Sequence, residues 1–245
     1  MIGFTGGRLK AYEVVAARLR SEILEGARPP GARLSNEIVL AGEFGVSRAT
    51  VREALRLLGA ENLIRTAKGA GGGSFVTVPS ADHLSDSLRS GLGRLTSAEH
   101  VTLEELLEAR ELLEVPAAEL AARRRAEEDV ARLRESIPPN PLRLGTQEQF
   151  VHNRDFHSVV IEVCGNTLLA VAAQPIFEVL QTHLSRSRLG RDFHRAINEH
   201  HHAVADAIEA GDEAAAGSQM YDHLVFLRPY YERAWRAATG PRGRR

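Results

Sequence analysis

The feature that most constrains the fold is the helical periodicity of the second half of the chain. From residue 102 onward, no segment of any length alternates apolar and polar residues as a β-strand does. Apolar residues recur instead at intervals of three and four over segments of helical length, with breaks such as PPNP at 138–141. This pattern predicts an antiparallel helical bundle. The expected helices are Leu103–Arg123, Glu127–Ile137, Thr146–Val163, Leu168–Ser185, Phe193–Ala210 and Glu213–Ala238.

The amino-terminal third of the chain predicts three helices followed by a hairpin. Helical spacing covers residues 10–25, and a second helix is expected to end near Phe44. Gly45 then provides a tight turn, and Ser47 can cap the free amides of a third helix. Beyond that helix, two short alternating segments flank the glycine-rich sequence AKGAGGG, which has Lys68 near its start. A helix-turn-helix followed by a basic hairpin is the winged form of a DNA-binding unit.

The charge of the chain is distributed unevenly between its two parts. Residues 1–80 contain 11 Lys+Arg and 7 Asp+Glu, a net charge of +4, whereas residues 81–245 contain 20 and 25, a net charge of -5. A basic end on an acidic body favours contact with a polyanion at that end. Arg48, Arg52 and Arg56 repeat every four residues on the third helix. This stripe is typical of a recognition helix in a major groove, but a solvated helix face can carry it as well.

The sequence LSNEIVLAGEFGVSRATVREALRLLGAENLI, followed by GGGSFV, resembles the amino-terminal domain of the GntR family of bacterial transcription regulators. The resemblance covers roughly residues 9–78 and is most specific in GVSRATVREAL. It implies contacts with double-stranded operator DNA from the third helix and from the wing tip at 69–73. The implied DNA-binding residues are Ser47, Arg48, Thr50, Arg52, Lys68 and Gly71. Many members have an arginine where this sequence has Ile38, so one contact is either missing or supplied elsewhere.

Histidine spacing predicts a second site inside the bundle. His201 precedes the glycine of the GD turn at 211–212 by ten residues, and His223 follows its aspartate by eleven. In an antiparallel helix pair both lie about 15 Å from the turn, so the two imidazoles can face each other. Asn153 and His157 share a face of another helix. These four side chains could hold a divalent metal ion, or they could be ordinary core or surface residues.

The segments LEELLEARELLEVPAAELAA, NRDFHSVVIEVCGNTLL and HHAVADAIEAGDEAAAGSQMYDHL resemble the FCD ligand-sensing domain, the helical body of the FadR-like branch of the same family. The resemblance covers most of residues 84–232. Many such domains bind a metal through an aspartate, the histidine four residues later and two further histidines. The ligands implied for a divalent ion such as Zn²⁺ or Ni²⁺ are Asn153, His157, His201 and His223.

Two details of this ligand set depart from the family pattern. Asn153 replaces the aspartate, and an amide oxygen is a poorer ligand because it contributes a dipole rather than a charge. Among the three consecutive histidines, only His201 keeps the family's 22-residue interval to His223. His200 then takes the place of a family glutamate, and His202 is expected to be exposed.

Arg110 lies on the same helix face as four leucines, so its guanidinium is expected to be buried. One interpretation is a carboxylate clamp, because arginine binds carboxylates bidentately and many FCD effectors are small organic acids. The other is an ion pair with Glu114, one helical turn later.

Together these features predict a mainly α protein with an N-terminal winged helix-turn-helix domain at 9–78 and a C-terminal all-α antiparallel helical bundle. Residues 79–101 are expected to be a linker with a short helix, residues 102–238 the effector-binding and dimerisation domain, and residues 239–245 a disordered basic tail.

The predicted function is a homodimeric, non-enzymatic transcription regulator, acting as a repressor, that binds a small carboxylate effector. One alternative is a DNA-binding protein whose helical body only dimerises. Another is a metal-dependent hydrolase, for which no glutamate is obviously placed as a general base. The single cysteine and the lack of an apolar run long enough to span a membrane predict a cytoplasmic location.

Overall fold

The computed structural model of this chain describes residues 10–69, 71–78, 80–184 and 189–239. The chain divides into two compact units, with the boundary between Ser80 and Ala81. The described part is mainly helical and contains one two-stranded antiparallel sheet, which confirms the predicted fold class. None of the described helices is both long and apolar enough to cross a membrane. In the predicted basic tail, residues 240–245 lie outside the described residues.

The described part of the first unit contains three helices and a hairpin. Its elements are α1 (Ala11–Leu24), α2 (Glu37–Phe44), α3 (Arg48–Ala60), β1 (Ile64–Ala67) and β2 (Gly73–Val76). Gly45 adopts φ 64°, which ends α2 and turns the chain sharply into α3. The side chain of Ser47 caps α3 by accepting a hydrogen bond of 3.1 Å from the Thr50 amide. A single apolar cluster, which includes Leu19 and Val51, holds the helices against the hairpin.

The hairpin has a tight connection that requires glycine. Ile64 pairs with Val76 across the two antiparallel strands. In the turn, the amide of Gly72 donates a 2.8 Å hydrogen bond to the carbonyl oxygen of Gly69. A Cβ atom on Gly72 would lie 2.6 Å from the carbonyl oxygen of Ala67, too close for any other residue to replace it without a backbone shift. The glycine-rich sequence therefore gives the wing a defined shape.

Over residues 81–184 and 189–239, the second unit contains seven helices and a short 3₁₀ turn at Pro141–Arg143. The helices are α4 (Ala81–Ser97), α5 (Leu103–Arg124), α6 (Glu127–Ser136), α7 (Thr146–Val163), α8 (Thr167–Leu184), α9 (Arg191–Ala210) and α10 (Glu213–Thr239). Thr102 and Glu105 form a capping box at the start of α5, and Gly211 ends α9 at φ 74°. Helices α9 and α10 therefore form an antiparallel hairpin, and α5 packs against α10.

Helix α4 is longer than the short helix expected in a linker. It spans 17 residues, belongs to the second unit and packs against α8. Arg89 of α4 contributes to this contact through an ion pair of 3.2 Å with Glu178. The segment between the expected domains is thus largely part of the helical body.

Two apolar clusters form the core of the second unit. Phe156, Val204 and Met220 belong to one, and Phe150 and Leu180 belong to the other. Each large side chain that is removed from water contributes about 1.5–3 kcal/mol to stability. Nine polar or charged residues are buried in the described part of this unit, and the six that are at most 6% exposed are candidates for a functional site. They are Arg110, Glu114, Asn153, His157, His201 and His223.

Candidate functional site

Three histidines from three helices meet inside the second unit. His157 of α7, His201 of α9 and His223 of α10, here called the histidine cluster, are 0%, 2% and 0% exposed. One nitrogen from each ring lies within 4.8 Å of the nitrogens of the other two. The Nε2 atoms of His157 and His223 are 3.2 Å apart. His201 and His223 face each other because they stand at similar distances from the turn that joins α9 and α10.

Several polar atoms around the cluster are buried without a hydrogen-bond partner among the described residues. They are Asn153 Oδ1, His201 Nε2 and His223 Nδ1. Leaving a buried polar atom unpaired is unfavourable, and such atoms are rare in folded proteins. The unpaired Asn153 Oδ1 and His201 Nε2 can each bind a partner at this site. Imidazole nitrogens and an amide oxygen are ligands for a divalent metal ion.

The spacing of the ring nitrogens also fits a metal. Two nitrogens bound at about 2.0–2.1 Å to one tetrahedral ion are separated by roughly 3.3 Å. The 3.2 Å between Nε2 of His157 and Nε2 of His223 is close to this value. The three histidines could therefore hold a metal ion.

The protonation of the histidine cluster favours metal binding. Burial lowers the pKa of His157, and the nearby Glu114 carboxylate offsets this only in part. The pKa values of His201 and His223 lie well below 6.5 because both rings are buried and lie close to other histidines and to Arg110. All three imidazoles are therefore neutral at neutral pH, and a neutral imidazole has the lone pair that a metal ligand requires.

Glu114 orients one histidine of the cluster. Its Oε2 accepts a 2.7 Å hydrogen bond from Nδ1 of His157. Because a carboxylate can only accept, the proton of the neutral ring is on Nδ1 and the lone pair is on Nε2, facing His223. This role was missed in the sequence, where Glu114 was considered only as an ion-pair partner of Arg110.

Arg110 is buried and fully engaged by neighbouring groups. Its Nε donates a 2.6 Å hydrogen bond to Glu114 Oε1, and its Nη1 donates a 2.9 Å bond to the hydroxyl of Tyr231. Its Nη2 lies 3.2 Å from Nε2 of His157, so Arg110 and a metal ion would compete for this nitrogen. Burial alone would raise the pKa of Glu114, but Arg110 and His157 outweigh it and lower the pKa to about 2. The ion pair considered from the sequence is thus present in the structure.

The space beside the histidine cluster is small. A pocket lined by Asn153, His201, Phe193 and Ile197 has a volume of only about 20 Å³. This is room for an ion or a single water molecule rather than an organic acid. The neighbouring histidines lie outside the cluster: His200 is half-buried against Phe226, with the ring centres 4.9 Å apart, and His202 is exposed.

The basic face of the first unit lies on α3. Arg48 is exposed at the first position of the helix, and Ser47 and Thr50 beside it are joined by a 2.9 Å hydrogen bond between their hydroxyls. Arg52 is 64% exposed, and its Nη2 pairs with Glu37 of α2 at 2.6 Å. Arg56 pairs with Glu53 at the same distance. Two of the three arginines in the stripe therefore have acidic partners in this structure.

The hairpin contributes further basic groups. Lys68 and Gly71 are exposed, as a DNA-contacting wing would require. Arg33 and Arg65 were not singled out in the sequence, although the alternation in β1 could have indicated Arg65. Their guanidinium carbons lie 6.0 Å and 5.0 Å from the centre of the Phe75 ring. Ile38 is 63% exposed in the first turn of α2.

Comparisons with known proteins cover both units. Residues 11–76 match the family model for bacterial regulatory proteins of the gntR family, and residues 105–226 match the model of the FCD domain. The chain is 30% identical over 224 residues to the HTH-type transcriptional regulator LutR of Bacillus subtilis, covering 86% of this chain and 98% of that protein. It is 28% identical over 221 residues to the Uxu operon regulator of Haemophilus influenzae, covering 88% and 79%.

A solved structure shows the same arrangement of elements. The protein described as Streptococcus agalactiae GntR matches with a TM-score of 0.59 and 28% sequence identity, covering 89% of this chain and 99% of that one. The similarity therefore extends across both compact units.

Proposed function

Because the chain belongs to the GntR family of bacterial transcription regulators and carries an FCD domain, we propose that it is a ligand-responsive repressor acting in the cytoplasm. It binds a pseudo-palindromic operator as a homodimer and releases it when a small organic acid binds to the second unit. DNA-binding regulation, and not catalysis, is the function of the family, so the predicted absence of enzymatic activity is confirmed and the hydrolase alternative is wrong.

The observation that carries the DNA-binding part is the exposed start of α3. Ser47 caps the helix and Arg48 and Arg52 extend from its first turns, the part of a recognition helix that meets base edges. Lys68 and Gly71 on the wing add contacts to the adjacent groove. Two such units related by a two-fold axis would occupy successive major grooves, which is why a homodimer and a pseudo-palindromic operator belong together.

The histidine cluster supports metal binding in the second unit. Its three ring nitrogens and Asn153 Oδ1 would hold Zn²⁺ or Ni²⁺, and Glu114 would keep His157 in the correct tautomer. When bound, the ion supplies a positive charge to an anion and cross-links α7, α9 and α10. Such a cross-link restrains helices that a ligand must move if it is to act on the DNA-binding units.

The proposed binding of a small organic acid depends on whether the carboxylate of the acid can bind to Arg110. Its guanidinium contacts Glu114, Tyr231 and His157, so a ligand carboxylate that binds it must share or replace these partners. Replacing Tyr231 would change the contacts between α5 and α10, because Tyr231 belongs to α10 and Arg110 to α5. A ligand can shift the dimer between two arrangements only by the difference in its affinity for them.

The proposal is tested with the full-length chain and a randomised pool of duplex DNA. We expect selection to yield a sequence with two half-sites, to which the protein binds as a dimer with strong dependence on salt. Small carboxylates are then added to the complex, before and after chelation of metal, and the DNA affinity is measured. Selection of no sequence contradicts the DNA-binding part. Operator binding that no carboxylate changes, with no carboxylate bound in calorimetry, favours instead a protein whose helical body only dimerises.

A further inference from the structure

A second, larger cavity lies in the helical body away from the histidine cluster. It is a cleft of about 620 Å³ between α4, α7 and α8, and its walls include Arg89, Thr96, Phe150, Arg154 and Gln181. Pockets for small organic molecules usually have volumes of about 300–1,000 Å³. The cleft therefore has the size for a small organic ligand that the 20 Å³ pocket beside His201 lacks.

Two arginines line the cleft together with the carboxylate of Glu178. Arg89 on α4 and Arg154 on α7 have side chains that are 51% and 49% exposed. Arg154 bonds to Asp155 at 2.9 Å, and Arg89 bonds to Asp86 at 2.6 Å and to Glu178 at 3.2 Å. Because both guanidinium groups remain half-exposed, they can also donate to an incoming carboxylate.

Thr96 places an unpaired hydroxyl in the wall of this cleft. The residue is only 8% exposed, and its Oγ1 has no hydrogen-bond partner among the described residues. A threonine hydroxyl in an interior site normally bonds to the backbone, another side chain or a bound molecule. A ligand hydroxyl or carboxylate in the cleft would satisfy it.

The floor of the cleft is apolar and held in place. Phe150, Val151 and Val179 contribute to its lining. The side-chain amide of Gln181 donates a 2.6 Å hydrogen bond to the carbonyl oxygen of Phe150 and so fixes this part of α7 against α8. Phe150 also lines the small pocket beside the histidine cluster, so one side chain separates the two cavities.

We propose that this cleft is a binding site for a small hydroxylated organic acid. The acid's carboxylate pairs with Arg154 and Arg89, its hydroxyl groups bond to Thr96, and its carbon chain lies against Phe150. The inference rests on the proposed function in that the cleft would be a second acid-binding site of the regulator, separate from the one at Arg110. It differs from that proposal because binding needs neither a metal ion nor Arg110.

The test is calorimetry on the full-length chain with gluconate, glucuronate and glycerate, and with glucose as the uncharged control. We expect at least one acid to bind equally well before and after chelation, and glucose not to bind. Arg154→Gln should weaken binding about tenfold, because it removes a charge-assisted hydrogen bond. Thr96→Val should weaken it several-fold while leaving the thermal midpoint unchanged or higher, because the hydroxyl has no protein partner. The matched control is Arg132→Gln, whose arginine is 47% exposed, paired with Asp129 and outside the cleft lining.

The outcomes separate this inference from the proposed function. Failure of all three acids to bind overturns the cleft assignment. The cleft assignment is also overturned if an acid no longer binds after chelation, or to an Arg110→Met variant, while it binds the two cleft variants as before. That result leaves the proposed sensor intact. An acid that depends on Thr96 and Arg154 but does not alter operator affinity supports the cleft as a binding site and leaves ligand-responsive regulation to the site at Arg110.

Discussion

The buried ion pair between Arg110 and Glu114 is expected to be essential to the stability of the second unit. The two side chains are 2% and 1% exposed and meet at 2.6 Å. Glu114→Gln keeps the shape of the side chain but leaves the Arg110 guanidinium charged between the rings of Phe177 and Tyr231. Breaking such a pair from one side typically costs about 3–5 kcal/mol, because the remaining charge is buried without a counter-ion.

The lowered pKa of Glu114 gives a second measure of how much its charged surroundings contribute to stability. Its surroundings, chiefly Arg110 and His157 acting against the effect of burial, lower the pKa from 4.5 to about 2. At about 1.4 kcal/mol for each tenfold change in acidity, this corresponds to about 3 kcal/mol of preference for the ionised carboxylate in the folded protein. Since the folded pKa lies below the unfolded one, this stability is present above pH 4.5 and is lost as the pH falls to about 2.

The measurement is denaturant unfolding of the chelated protein at neutral pH, followed by the fluorescence of Trp235. This is the only tryptophan in the chain, and it lies in α10, so its signal reports on the second unit. We expect Glu114→Gln to lower the free energy of unfolding by about 3 kcal/mol and to remove most of the loss of stability in acid.

Two further variants complete the test. The double change Arg110→Met with Glu114→Leu should recover much of the loss, because it leaves no buried charge. Glu213→Gln is the control: it breaks the exposed Arg123–Glu213 pair and should cost less than about 1 kcal/mol. A Glu114→Gln protein within about 1 kcal/mol of the unchanged chain would refute the assignment of this pair as a buried, charged unit.

The remaining predictions concern DNA and metal. Arg48→Ala combined with Arg52→Ala should reduce operator affinity by about a hundredfold or more while the protein stays folded and dimeric. As a control, Arg195→Ala in the second unit should leave operator affinity unchanged. If the double variant gives DNA footprints of unchanged strength, α3 is not the recognition helix. Replacing any one of the histidine cluster with alanine should lower the metal content found by elemental analysis, and unchanged stoichiometry in all three variants would exclude the site. Asn153→Asp should tighten metal binding about tenfold and make stability depend more strongly on metal, because it adds a negative ligand that is buried and unpaired without the ion. Weaker binding in that variant would show that Asn153 is not a ligand.

Local features of the fold could be predicted from the sequence because their causes lie within a few residues. Helix α7 was expected at Thr146–Val163 and has those bounds. The other helices predicted from residue 102 onward agree with the structure to within two residues at either end, except that the predicted end at Ser185 lies outside the described residues. Gly45, Ser47 and Gly211 terminate or cap helices through their own backbone freedom or hydroxyl group. The similar distances of His201 and His223 from one turn could likewise be predicted, because helix geometry fixes the rise per residue.

Tertiary packing determined which partners the charged and polar side chains contact. Glu114 reaches His157, 43 residues away, and Arg110 reaches Tyr231, 121 residues away. The spacing of one helical turn indicated the pair of Arg110 with Glu114, but no local pattern indicated that Glu114 would also bond to His157 or that Tyr231 would bond to Arg110. The same holds for α4, whose packing on α8 creates a cleft and buries the hydroxyl of Thr96. Backbone conformation is set by neighbours along the chain, whereas burial, charge pairing and cavity volume depend on residues that meet only when the helices pack.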